Sequence, residues 1–232
     1  MCCALQTHAI HCCVEGNPFF PALSLIFPPE SVMSMHPDEQ NRRSLLSKAV
    51  NCILISMAAL SVFYSSLVAF SLPLAPHEME SVERAIHLLE TRGFEREVFL
   101  LRHMAIFRGS DNWLNGAVPK EASYAATNFP VQIITLYPDF YTKAQDDTER
   151  AMILLHEARH LQGDSESEAY AFVWKNRAQL GWTQLSHGTT PTYVTINDQT
   201  HENAPELFTC ADKLWKDCTE TLPTGARASR PQ

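Results

Sequence analysis

Apolar residues fall along the chain in one unbroken run, several stretches at helical spacing and one short β-branched stretch. The run, Ala49 to Ser71, reads AVNCILISMAALSVFYSSLVAFS, and no Asp, Glu, Lys or Arg lies between Lys48 and Glu78. A spanning helix needs about 20 mainly apolar residues to cross about 30 Å of hydrocarbon, so residues 49–75 read as a signal anchor or signal peptide. A buried core helix would carry polar residues at helical spacing; here only Ser, Asn51 and Tyr64 interrupt. Beyond it, the apolar spacing predicts helices over 78–91 and 95–107, joined at Thr91-Arg92-Gly93. Residues 109–130 are rich in Gly, Asn, Pro and Ser and read as a surface-draped loop. Val131 to Tyr137, VQIITLY, is a strand closed by Pro138-Asp139. Asp146-Asp147-Thr148-Glu149 caps a helix over 148–162 that stops at Gly163, and Asp164-Ser165 caps another over 166–181 that ends at Gly181. After Trp182 the pattern weakens to a short strand at 192–196, a helix from Pro205 to Asp217 and a frayed tail over 222–232.

This order predicts an α+β domain, mostly helical with a small sheet, over 76–232, preceded by the membrane or signal segment. Arg42, Arg43 and Lys48 precede the run, and Glu78, Glu80 and Glu83 follow it. The positive-inside bias places the domain outside the cytoplasm, either membrane-anchored through residues 49–71 or exported after cleavage near Ala69-Phe70-Ser71. Residues 1–48 then form a cytoplasmic extension or an over-extended start, with Met33 or Met35 as alternative starts. A net charge of −8, with Lys and Arg scattered rather than clustered, argues against nucleic acid as a partner. Cys2, Cys3, Cys12 and Cys13, with His8 and His11, lack the C-x2-C pairing of structural zinc sites. Cys210 and Cys218 fall in the exported part and can form a disulfide there, provided that a turn separates them. Eight residues of straight helix would hold their α-carbons about 12 Å apart.

His156-Glu157-Ala158-Arg159-His160, within the capped helix, is an H-E-x-x-H motif. Histidines at i and i+4 share one helical face, so both imidazoles can reach one Zn²⁺, while Glu157 beside them can reach a metal-bound water as general base. Leu154, Leu155, Ala158 and Leu161 give the same helix an apolar face to bury. A catalytic zinc needs a third protein ligand and an open fourth position. Asp164, Glu166 and Glu168 all follow within reach once Gly163 reverses the chain, although Ser165-Glu166-Ser167-Glu168 is also a capping-box pattern.

On these residues the sequence resembles the zincin metallopeptidases. HEARHLQGDSE is similar to the metzincin pattern H-E-x-x-H-x-x-G-x-x-H, with Glu166 where the third His would stand, but Met152 is the last Met and leaves no later Met-turn. ESEAYAF, Glu166 to Phe172, resembles the glutamate-bearing second helix of gluzincin-type and ImmA/IrrE-type peptidases, which implies Glu168 as the third ligand and Glu166 as its alternative. The resemblance covers roughly residues 131–181. It implies a zincin-like domain acting as a zinc-dependent peptidase on a peptide or protein substrate, with His156, His160 and Glu168 on Zn²⁺ and Glu157 catalytic. In zincins a strand at the cleft edge pairs with extended substrate; Val131 to Tyr137 stands in that place or is an ordinary central strand. His187, His201, Tyr170 and Tyr193 are candidates to stabilise an oxyanion or support the ligands. The alternative is a non-enzymatic exported protein that binds metal structurally or carries an interaction surface.

Overall fold

The structure, a computed structural model, describes residues 37–115 and 124–219, with side chains from residue 45. The cysteine and histidine cluster of residues 2–13, Met33 and Met35, and the tail over 222–232 lie outside the described residues. The chain divides into two units, Met1–Ile53 and Leu54–Gln232. Helix α1 (Pro37–Ala69) runs through this boundary. Its segment Leu45–Ala69, 25 residues with mean hydropathy 2.0, is long and apolar enough to cross a membrane. The large side chains Leu45, Val50, Ile53, Leu54, Ile55, Leu60 and Val62 are all exposed, so over these residues the helix presents apolar side chains that no described part of the chain buries.

In the second unit, α2 (Pro76–Thr91) starts with Pro at its first turn, where a missing N–H costs nothing. Its buried residues Val82, Ala85, Ile86 and Leu89 recur at i, i+3, i+4 and i+7 and form one apolar stripe. Gly93, at φ +83°, makes the turn into α3 (Glu95–His103). The helix expected over 95–107 is shorter, because Ile106–Arg108 leaves it to form β1. Two further strands, β2 (Ala125–Asn128) and β3 (Ile133–Leu136), complete a sheet of order β1-β3-β2. β1 runs parallel to β3, and β2 is antiparallel to it in the register Ala125↔Leu136 to Asn128↔Ile133. Every residue of β3 is buried. The stretch 131–137 therefore supplies the central strand, and β2, one of the two edge strands, lies within the segment read as a loop.

After the short α4 (Pro138–Thr142), α5 (Asp147–His160) is capped by Asp146, whose side chain accepts from the Glu149 N–H at 2.9 Å. Helices α2, α3 and α6 (Glu166–Asn176) and strand β2 pack around α5. Ala151, Met152, Leu154, Leu155 and Ala158 of α5 are fully buried, which fixes the motif helix from several sides. The helix expected over 166–181 tightens to a 3₁₀ turn at Arg177–Leu180 before Gly181, at φ +79°. A short α7 (Gln184–His187) follows. The strand expected at 192–196 is instead part of α8 (Pro191–Asn203): Thr190 caps it, its side chain accepting from the Tyr193 N–H, and Pro191 opens it. The helix expected over 205–217 is two 3₁₀ turns, Pro205–Phe208 and Leu214–Lys216. The turn between them lets Cys210 and Cys218 form a disulfide with α-carbons 5.1 Å apart.

Candidate metal centre

His156 and His160 lie one turn apart at the C-terminal end of α5, their Nε2 atoms 2.9 Å from each other. Beyond His160 the helix ends, and Gly163 adopts φ +88°, a left-handed conformation that other residues rarely take. The reversal starts α6 at Glu166 and turns its first side chain back over the histidines. Glu166 Oε2 stands 3.3 Å from His156 Nε2, and Oε1 3.4 Å from His160 Nε2. Tetrahedral zinc with ligand bonds of about 2.0–2.1 Å separates neighbouring donors by about 3.3 Å. The two His–Glu166 separations, each to a different carboxylate oxygen, are close to that edge length and the Nε2–Nε2 separation is shorter, and two imidazoles with a carboxylate are the donor chemistry zinc accepts.

Glu168 does not join this group. Its Oε2 accepts from the Ser165 N–H at 2.9 Å and from the Ser165 hydroxyl at 2.8 Å, closing a capping box at the start of α6. The carboxylate that the structure brings to the histidines is Glu166, six residues after His160. Asp164 is also taken: Arg159 donates from Nε to Asp164 Oδ2 at 2.8 Å, and its other terminal nitrogen stands 2.7 Å from the same oxygen. Among the described residues, His156, His160 and Glu166 are the one cluster with metal-ligand spacing.

The supports of these side chains decide which atoms are free. His160 Nδ1 lies 2.9 Å from the Asp164 carbonyl, so Nδ1–H donates there and Nε2 is left to the cluster. Burial alone would depress the His160 pKa, but the Glu166 hydrogen bond, the Glu157 charge and the Asp164 carbonyl outweigh it and raise it to about 9. Hydrogen bonds from His156 and His160 hold the Glu166 carboxyl well below the usual carboxylate range. His156 Nδ1 is buried and has no hydrogen-bond partner among the described residues. The His156 ring instead packs against Tyr170, with centroids 4.4 Å apart.

Glu157 is buried, and its Oε2 accepts from the Thr127 hydroxyl of β2 at 2.7 Å. Both groups line a cleft of ≈ 580 Å³ that also holds His156, His160 and Glu166. Strand β2 borders the cleft along its length, with Phe129, Tyr137, Tyr170, Ile196 and Glu202 around it. Burial, followed by the Glu157 charge, pushes the Tyr137 phenol up to about 12, and its hydroxyl donates to Asp111 Oδ1 at 2.7 Å. Burial and the nearby Glu166 and Glu157 charges raise the Tyr170 phenol as well.

Of the four outlying candidates, Tyr170 alone lines the cleft. His187 pairs with Asp146 at 3.0 Å, His201 stacks on Phe208 with centroids 3.5 Å apart, and Tyr193 is buried against Trp174 and Trp182. Sequence reasoning passed over Thr127, which sits in a strand of weak β-formers, and Arg159, whose partners are set by the fold. Besides Asp164, Arg159 reaches Glu97 Oε1 of α3 at 3.1 Å and lies over the Phe172 ring at 4.2 Å, pinning the turn between α5 and α6. No family model, curated protein or solved structure matches the chain.

Proposed function

We propose that the second unit is a zinc-dependent peptidase domain, zincin-like in its active site and carried to or across a membrane by α1. The observation that supports this most directly is the convergence of His156, His160 and Glu166 within metal-ligand reach of one another, with Glu157 beside them in an open cleft. Three donors leave a fourth position free, which is the mark of a catalytic rather than a closed structural site. The H-E-x-x-H resemblance points the same way.

When bound, zinc would supply a water acidified towards about pKa 7 and a polarised substrate carbonyl. Glu157 takes the proton and passes it to the leaving amine. The Thr127 hydroxyl holds Oε2 of Glu157, which orients the carboxylate and leaves Oε1 for that proton. The Asp164 carbonyl fixes the His160 ring, and Arg159 fixes Asp164. Strand β2 pairs on one side with β3, and among the described residues no strand pairs with its other side. A peptide extended along β2 would find backbone donors and acceptors there, so binding would read main chain first. Tyr137 and Tyr170, with raised pKa values, stay neutral at the cleft wall.

The test is incubation of an unfolded protein such as casein with the zinc-loaded full chain in detergent. We expect cleavage that stops with a chelator and returns on adding zinc. Casein left intact by zinc-loaded protein would remove the peptidase reading in favour of a non-enzymatic metal-binding protein.

A further inference from the structure

The candidate signal cleavage site at Ala69-Phe70-Ser71 is built into the domain. Leu67 is fully buried and Ser71 is 4% exposed. The Arg108 guanidinium donates to the Val68 carbonyl at 2.6 Å, to the Ser71 hydroxyl at 2.8 Å and to the Ser71 carbonyl, so it satisfies acceptors that the end of α1 leaves open. The next residues continue the attachment: the Leu72 N–H donates to Ser110 Oγ at 2.8 Å, the Gly109 N–H to the Leu72 carbonyl at 2.8 Å, and Pro73 bridges Arg108. Cleavage after Ser71 would expose the pocket that Leu67 fills and take from the half-buried Arg108 guanidinium the Val68 and Ser71 acceptors.

Trp113 marks how far up the helix this attachment reaches. Its indole N–H donates to Ser66 Oγ at 3.1 Å, and its ring meets Phe63 edge-on with centroids 5.5 Å apart. Phe63 lies six residues before the end of the span, about 9 Å down the axis at 1.5 Å per residue. The 25-residue span of Leu45–Ala69 is about 37 Å long, some 7 Å more than a hydrocarbon core of about 30 Å. The surplus length and the depth of Trp113 nearly coincide. On this reading the hydrocarbon ends near Phe63 to Ser66, and beyond it one face of the last turns of α1 packs on the domain through Leu67. At that level and just outside it the domain shows Trp113 and Leu114, at 49% and 39% exposure, and Phe70 and Leu72, at 71% and 67%. An indole ring at such a boundary is typical of the aromatic belt of membrane proteins.

We infer that α1 is retained as an anchor and that Trp113, Phe70, Leu72 and Leu114 form a collar that enters the outer lipid interface, so the domain is seated on the bilayer rather than tethered above it. The occupant of this apolar surface is the lipid in which α1 itself stands. The inference rests on the membrane reading of α1 and not on the peptidase reading, and its test involves no hydrolysis.

The experiment reconstitutes the full chain in phosphatidylcholine vesicles with bromine at the 6,7 acyl positions and reads tryptophan fluorescence. Trp174 and Trp182 are buried, so the exposed indoles are Trp113 and Trp215. We expect brominated lipid to quench a component of the wild-type emission that is lost in Trp113→Phe, and Leu114→Trp to gain a quenched component. Intact mass of the membrane-extracted protein should show residues 45–71 still attached. Equal quenching in wild type and Trp113→Phe, no quenching gained in Leu114→Trp, or a mature chain that starts after residue 71 would each overturn the proposal.

Discussion

Glu166 enters α6 at its first position and leans back towards His156 and His160, whereas Glu168, about 200° round the axis, turns to the N-cap. Glu166→Ala should therefore abolish tight zinc binding. Glu168→Ala should keep one zinc per chain and lower the Tm slightly, through loss of the capping box at the start of α6. Zinc titration and thermal unfolding of the two variants check this pair, and normal zinc stoichiometry in Glu166→Ala would refute the ligand assignment. The sequence displayed both carboxylates and the capping box, but side-chain direction depended on the turn at Gly163, which spacing alone leaves open. The His160 pKa carries a further expectation. Raised from 6.5 to about 9 in the metal-free protein, it contributes stability fully present below about pH 6.5 and lost as pH rises through about 9. Zinc must displace that proton, so apparent zinc affinity should climb over the same interval while the Tm of the metal-free protein falls. A zinc affinity flat from pH 6.5 to 9 would contradict it.

At the scale of elements, α5 was the most legible, because Asp146, the apolar face and Gly163 all mark one helix. Strand β2 was not, since Ala125-Ala126-Thr127-Asn128 has little intrinsic β preference and is made a strand by pairing with β3. The stretch at 192–196 misled through its β-branched residues; the signal that decides it is Thr190-Pro191, an N-cap followed by proline at the first helical position. The turn between α5 and α6 carries two predictions. In Gly163→Ala the new Cβ would meet the Phe129 ring at 3.5 Å, an ordinary contact, so the cost comes from φ +88° and should be about 1 kcal/mol or more, with weakened zinc binding. Arg159→Met leaves Glu97, 5% exposed, without its cation and frees Asp164. It should cost about 3 kcal/mol, and adding Glu97→Gln should recover part of that. Denaturant unfolding measures both, and a neutral Arg159→Met would show that the clamp is unimportant.

For the whole molecule, length and the lack of charge were enough to read α1, because a membrane-length apolar run needs no tertiary context. Its attachment to the domain was not legible, since Arg108 meets residues about 40 positions earlier. The Cys210 and Cys218 pairing was open in the sequence and depended on the turn between them. The account as a whole stands on Glu157 acting beside a zinc held by His156, His160 and Glu166. Casein hydrolysis by the wild-type full chain and by Glu157→Gln, each verified to carry one zinc, tests it most directly. The account predicts cleavage by the wild type and a loss of about 100-fold or more in the variant with its zinc retained. Equal rates in the two proteins, or no cleavage by zinc-loaded wild type, would contradict it.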